Sequence, residues 1–152
     1  MLKYVDTKVT FSEVPDEISL CINISNCPCH CKNCHSSYLA QDIGTELTFN
    51  EVRKLIKKNS GISCIAIMGG DAEPDKINTL ASFIINHYNS IKVAWYSGRQ
   101  ELSNHIDLCN FDYIKLGPYK EEFGPLNSRT TNQRFYKVVN DELIDITSRF
   151  WK

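Results

Sequence analysis

Aliphatic residues fall at every second position from Glu17 to Ser25. Ile18, Leu20, Ile22 and Ile24 lie on one side of an extended chain, and Ser19, Cys21, Asn23 and Ser25 on the other. A period of two predicts a strand, and this one runs straight into a cysteine-rich stretch that begins at Cys27. Thr48-Phe49-Asn50-Glu51 has the form of a capping box, in which the Thr48 hydroxyl and the Glu51 carboxylate satisfy free amides at a helix start. Val52, Leu55 and Ile56 supply the apolar stripe of that helix, and Lys57 and Lys58 sit at the negative end of its dipole. Asn59-Ser60-Gly61 ends it. Ile62 to Met68 is a nearly continuous apolar run, as expected of a central parallel strand buried on both faces, and it stops at Gly69-Gly70. Asp75 predicts the N-cap of a second helix, with Ile77, Leu80, Ala81, Ile84, Ile85 and Tyr88 at three-and-four spacing. Ile91 to Tyr96 reads as a strand ending in Ser97-Gly98, and about Gln100 to His105 as a short helix. Tyr113 to Leu116 reads as a strand ending in Gly117-Pro118. Residues 118–134 are polar and turn-rich, and Phe135 to Val139 with Leu143 to Phe150 predicts a hairpin around Asn140-Asp141.

The alternation of strand, loop and helix predicts a single α/β domain over residues 1–152, without repeats or linkers. In sheets of parallel strands, ligands bind where the loops after the carboxyl ends converge. Those ends carry the cysteine stretch, Gly69-Gly70-Asp71, Tyr96-Ser97-Gly98 and Leu116-Gly117-Pro118-Tyr119. Parallel pairing would bring all four segments to one rim.

Composition narrows the function. A chain of 152 residues, 42% hydrophobic, is long enough for a core that needs no disulfide or metal staple. With 17 Lys+Arg against 18 Asp+Glu, the net charge of −1 offers no basic excess for nucleic acid. Apolar runs such as Ile65 to Met68 fall far short of the roughly 18 residues that a membrane span needs. Met1-Leu2-Lys3-Tyr4-Val5-Asp6 has neither a basic nor an apolar signal region, so the expected location is the cytoplasm.

The seven cysteines change the picture most. Four of them, Cys27, Cys29, Cys31 and Cys34, lie within eight residues, which in a reducing compartment suggests a metal or cluster rather than disulfides. Cys27, Cys31 and Cys34 have the spacing C-x3-C-x2-C. A cubane iron–sulfur cluster ordinarily takes four thiolates. Three leave one iron open to a substrate or cofactor, as at catalytic metal sites. Structural zinc is the competing reading, with His30 or His35 recruited to the set; a fully ligated electron-transfer cluster using Cys29 is another. Cys29 is otherwise a bystander, and Cys21, Cys64 and Cys109 are expected to be ordinary buried thiols.

C-x3-C-x2-C after a strand near the start of an α/β domain resembles the signature of the radical S-adenosylmethionine enzymes. Phe111 to Lys120 (Phe-Asp-Tyr-Ile-Lys-Leu-Gly-Pro-Tyr-Lys), followed by Thr130-Thr131-Asn132-Gln133-Arg134, is similar to the activating component of the anaerobic (class III) ribonucleotide reductase. The likeness runs from about Lys3 to Phe150, and the chain is short, as that activase is.

The resemblance implies an abbreviated, open partial (β/α) barrel with mostly parallel strands and a C-terminal hairpin. It implies that Cys27, Cys31 and Cys34 hold a [4Fe-4S] cluster whose open iron binds S-adenosylmethionine. Gly69, Gly70 and Asp71 would receive the methionine moiety and its ammonium, with Glu73 as the alternative carboxylate. Tyr96, Ser97 and Gly98 would lie near the ribose and methionine. Asn33 stands where many such enzymes have an aromatic residue beside the adenine. The implied reaction is reductive cleavage to a 5′-deoxyadenosyl radical, which takes a hydrogen from a glycine of the large reductase subunit. A low-potential donor such as flavodoxin or ferredoxin would supply the electron. The cofactor carries the chemistry, so no acid–base triad is expected. Residues 118–134 would form part of the rim that meets the partner. An activase of another glycyl-radical enzyme and a non-catalytic metal- or cluster-binding module are the alternatives.

Overall fold

The computed structural model describes residues 2–26 and 42–151. Among these, eight strands form one sheet: β1 (Lys3–Thr10), β2 (Ser19–Ile24), β3 (Thr45–Glu46), β4 (Cys64–Met68), β5 (Lys92–Tyr96), β6 (Tyr113–Leu116), β7 (Arg134–Val139) and β8 (Glu142–Asp145). Their order across the sheet is β3-β1-β2-β4-β5-β6-β7-β8. The described residues hold two α-helices, α1 (Phe49–Lys58) and α2 (Pro74–His87).

This arrangement corrects the expected barrel. Only the central pairings β2–β4, β4–β5 and β5–β6 are parallel, while β1–β2, β1–β3, β6–β7 and β7–β8 are antiparallel. The sheet is therefore mixed and open, with antiparallel pairs in the majority and, among the described residues, too few helices for a (β/α) barrel. The cause lies in the connections. Parallel strands need a crossover, usually a helix, and α1 and α2 provide two of these. The segments 11–18 and 117–133 contain no helix and return the chain antiparallel after β1 and again after β6, whereas residues 97–112, with a 3₁₀ turn at Leu108–Asn110, still cross over in parallel from β5 to β6.

The two faces of the sheet are covered differently. Leu20, Ile22 and Ile24 of β2, Ile65 and Ile67 of β4, and Val93 and Trp95 of β5 pack with Val52 and Leu55 of α1 and with Ile77, Leu80, Ala81 and Ile84 of α2. The opposite face carries small residues, Cys21, Cys64, Ala66 and Ala94, and is closed by Val14, Tyr113 and Phe135, with no α-helix on it among the described residues. Phe135 lies at the centre of this layer, with ring centroids 5.8 Å from Tyr96, 5.7 Å from Tyr113 and 5.0 Å from Phe150. The alternate face of β2 that looked polar is thus a second interior face.

Several local expectations hold. Thr48 caps α1, its hydroxyl accepting from the Glu51 amide at 3.1 Å, although the Glu51 carboxylate accepts from the Tyr4 hydroxyl at 2.7 Å. Asn140 and Asp141 have φ of 51° and 61°, as a type I′ hairpin turn between β7 and β8 requires. Others do not hold. Glu73, not Asp75, is the N-cap of α2, because Pro74 takes the first helical position. No helix forms at Gln100 to His105; the Ser97 and Ser103 hydroxyls accept from the Arg99 and His105 amides and divert the backbone. The final hairpin strand stops at Asp145, where the Asp145 carboxylate takes the Thr147 amide and hydroxyl, and Thr147–Phe150 is a 3₁₀ turn. Cys109 is exposed, unlike the buried Cys21 and Cys64. Among the described residues no helix is long and apolar enough to cross a membrane.

Candidate active site at the carboxyl rim of the sheet

The parallel centre of the sheet sets the carboxyl ends of β2, β4, β5 and β6 side by side, and backbone bonds lock the loops that follow. The Gly69 amide donates to the Tyr96 carbonyl at 2.9 Å, the Ser97 amide to the Lys115 carbonyl at 2.9 Å, and the Gly117 amide to the Arg99 carbonyl at 2.6 Å. The end of β2 joins the same rim. A Cβ built on Gly69 would lie 3.2 Å from the Ile24 carbonyl oxygen, and one on Gly70 would lie 2.4 Å from Ile77 Cδ1. Both glycines have positive φ, +102° and +91°. The fold itself therefore requires glycine at 69 and 70, before any ligand is considered.

Asp71 is the polar centre of the rim. It is 7% exposed, and its carboxylate accepts from the Ser97 hydroxyl at 2.5 Å and from the Gly98 amide at 2.8 Å. The Ser97 hydroxyl in turn accepts from the Arg99 amide at 3.0 Å. Asp71, Ser97 and Arg99 line a cleft of about 560 Å³ with Pro74, Trp95 and Leu102. The Trp95 indole N–H donates to the Gly69 carbonyl at 2.7 Å, so this core residue also fixes the glycine loop.

The sequence-derived residues thus separate. Gly69, Gly70, Asp71, Ser97 and Gly98 come together. The Tyr96 side chain points to the opposite, small-residue face, where its hydroxyl donates to the Glu13 carbonyl and burial pushes its pKa well above 10. Of the two carboxylates left open by sequence, Asp71 lines the cleft with Ser97, whereas Glu73, whose backbone carbonyl accepts from the Lys76 and Ile77 amides at the start of α2, lines a separate small pocket with Ser25, Asn26 and Gly70. Cys27, Cys31, Cys34 and Asn33 lie outside the described residues, as do Cys29, His30 and His35. Among the described residues no cluster of His, Cys, Asp and Glu is suited to a metal. Cys21 and Cys64 are no reserve ligands: burial pushes both thiols up to about 12, which disfavours the thiolate that a metal needs.

Lys115 escaped the residue-by-residue reading. It is 8% exposed, and its ammonium donates to the Ser97 carbonyl at 3.2 Å and the Gly117 carbonyl at 2.8 Å. The signal was present as a charged residue inside the short apolar strand Tyr113-Ile114-Lys115-Leu116. The distal segment also folds back on this loop: the Gln133 side-chain Nε2 donates to the Gly117 carbonyl at 3.4 Å, and the Asn132 side-chain Nδ2 to the Pro118 carbonyl at 3.0 Å.

No protein-family model, curated protein or solved structure matches the chain at a significant level.

In chemical terms the rim provides a buried carboxylate at the edge of a cleft, held by a hydroxyl and a backbone amide. Such a carboxylate suits a cationic group.

Proposed function

We propose that this chain is a glycyl-radical-generating activase of the radical S-adenosylmethionine type, acting on the large subunit of an anaerobic ribonucleotide reductase. The observation that carries the reading is the rim at the end of β2, where Gly69, Gly70, Asp71 and Ser97 gather. The run containing Cys27, Cys31 and Cys34 starts three residues after β2 ends, and β2 ends against Gly69 and Gly70, next to Asp71 and Ser97. When bound, a [4Fe-4S] cluster and S-adenosylmethionine would supply the one-electron cleavage and the hydrogen abstraction from a glycine Cα.

The chain's own residues have narrower tasks. Asp71 receives the ammonium, and Ser97 and Gly98 hold the carboxylate toward the cleft. Gly69 and Gly70 bring the backbone close to the end of β2. The proposal does not depend on a barrel. An open sheet leaves the rim accessible to a partner loop, and residues 118–134, anchored through Asn132 and Gln133, form part of that approach. The reacting glycine must come to about 3–3.5 Å of the attacking atom, which requires insertion of such a loop. The cytoplasm, with flavodoxin or ferredoxin as donor, suits a thiol-rich, electron-dependent protein.

Anaerobic reconstitution with iron and sulfide tests this directly. The expected result is a brown protein whose cluster signal changes on adding S-adenosylmethionine, and which releases 5′-deoxyadenosine and methionine on reduction. With the reductase present, a glycyl-radical doublet should appear in the electron paramagnetic resonance spectrum. Cys31→Ala should abolish the cluster, and Cys29→Ala should leave cleavage largely intact. A colourless protein retaining one zinc per chain, or equal loss in both cysteine variants, would overturn the proposal or its ligand set respectively.

A further inference from the structure

We infer that Lys115 is a positioning residue for the cation-binding pair Asp71–Ser97. It reaches the pair through Ser97 and sets it for an ammonium-bearing ligand. The ligand half of this inference rests on the function proposed above; the positioning half does not.

The observations are geometric. β5 and β6 run parallel with Tyr96 opposite Lys115, so the Lys115 side chain starts on the small-residue face, beside Tyr96 and Phe135. From there its ammonium turns to the rim and donates to two carbonyls, Ser97 from the loop after β5 and Gly117 from the loop after β6. The same two loops are joined by the bond from the Gly117 amide to the Arg99 carbonyl. Ser97 is therefore held at both ends. Its carbonyl takes the Lys115 ammonium, and its hydroxyl donates to Asp71. The chain Lys115–Ser97–Asp71 crosses the ends of three adjacent strands, β6, β5 and β4.

An ammonium group buried to this degree is costly unless it is hydrogen-bonded and electrostatically compensated. The geometry gives this charge a use: it bonds carbonyls of two different loops. Charge-assisted bonds from one nitrogen to two loops fix their relative position more firmly than backbone bonds alone. The position they fix is that of the serine that orients the Asp71 carboxylate.

Amide hydrogen exchange of the unligated full chain tests the positioning half. In Lys115→Met, the Gly98 and Arg99 amides, which bond to Asp71 and Ser97, should exchange about tenfold faster, as expected for loss of a charged hydrogen bond. The Ile65 and Val93 amides in the sheet centre should be unchanged. Lys115→Arg should restore much of the protection. Unchanged exchange at Gly98 and Arg99, or a uniform increase throughout the sheet, would overturn the positioning role.

Calorimetric binding of S-adenosylmethionine to the reconstituted protein tests the ligand half. Lys115→Met and Ser97→Ala should each weaken binding, and the double variant should be no weaker than the poorer single one, because one acts through the other. Additive losses, or unaltered affinity in Lys115→Met, would overturn the coupling. A parent protein that binds no S-adenosylmethionine would instead remove the function proposed above, and the exchange data would still decide the role of Lys115.

Discussion

Replacing Gly70 by Ala tests whether the glycine pair at the rim is required by the fold. Gly70 has φ of +91°, and an added Cβ would meet Ile77 at Cδ1 (2.4 Å) and Cγ1 (2.8 Å). Ile77 is fully buried in the layer between α2 and the sheet, so its side chain has little room to swing away. Gly61 provides an internal control, since its φ is +93° and nothing lies within 4 Å of a Cβ there. Gly61→Ala therefore carries only the backbone cost of the left-handed region, about 1–2 kcal/mol. Gly70→Ala adds overpacking of about 1–3 kcal/mol, for a total of about 2–5 kcal/mol. Urea unfolding followed by circular dichroism measures the difference. With a typical denaturant slope, a gap of about 2 kcal/mol between the variants separates their midpoints by about 1 M. Ile77→Val removes the nearer atom. Alone it should cost about 0.5–1.5 kcal/mol, yet it should recover part of the loss in the Gly70→Ala background. Equal midpoints for Gly61→Ala and Gly70→Ala, or strict additivity with Ile77→Val, would refute the steric argument. Glycine at 70 would then need a ligand to explain it.

Two further predictions concern groups away from the rim. Glu17, 7% exposed, accepts from the Ser63 hydroxyl at 2.9 Å and from the Lys92 ammonium at 3.1 Å, tying the entrance of β2 to β4 and β5. Glu17→Gln should cost about 1–2 kcal/mol in urea unfolding, the lower end reflecting the half-exposed Lys92 side chain. The hydrogen bond to Glu17 raises the Lys92 pKa above its usual 10.5. The stabilisation is therefore complete below about pH 10 and fades as pH rises through the elevated value, a fade that Lys92→Met should abolish in unfolding titrations. Cys21 and Cys64, with thiols pushed up to about 12 by burial, should resist iodoacetamide at pH 8 in the native protein, while exposed Cys109 is alkylated. Peptide mapping reads this out, and native-state labelling of Cys64 would contradict the burial.

The strands that local pattern could reveal were those whose periodicity is unbroken. β6 at Tyr113–Leu116 appears as expected, and β2 and β4 differ only at their ends. β1 was missed because its register with β2 shifts between Tyr4 and Asp6. Such a bulge breaks the alternation by which a strand is recognised. The short helix expected after β5 failed for a related reason. Serine hydroxyls at 97 and 103 offered the backbone partners that propensity does not count.

The glycine pair, Asp71, and the Ser97-Gly98 turn were legible as strand-end residues, and the parallel centre of the sheet does bring them together. Which carboxylate lines the cleft was not legible, because it depends on how the loop after β4 meets the loop after β5, where the Ser97 hydroxyl and the Gly98 amide hold Asp71. Nor was the side to which Tyr96 points. Adjacent residues on a strand face opposite ways, and only the packing of Phe135 makes the second face an interior.

By itself the sequence determined the cysteine spacing, the lengths of the apolar segments, the cap at Thr48 and the turn at Asn140-Asp141, all of which depend on near neighbours along the chain. Only the tertiary structure decided strand direction, the placement of α1 and α2 on one face, and the Lys115–Ser97–Asp71 chain across three strand ends. The physical reason is one of range. Caps, turns and periodicities are set within a few residues, whereas direction and site geometry depend on how each connection returns to a sheet assembled from distant segments.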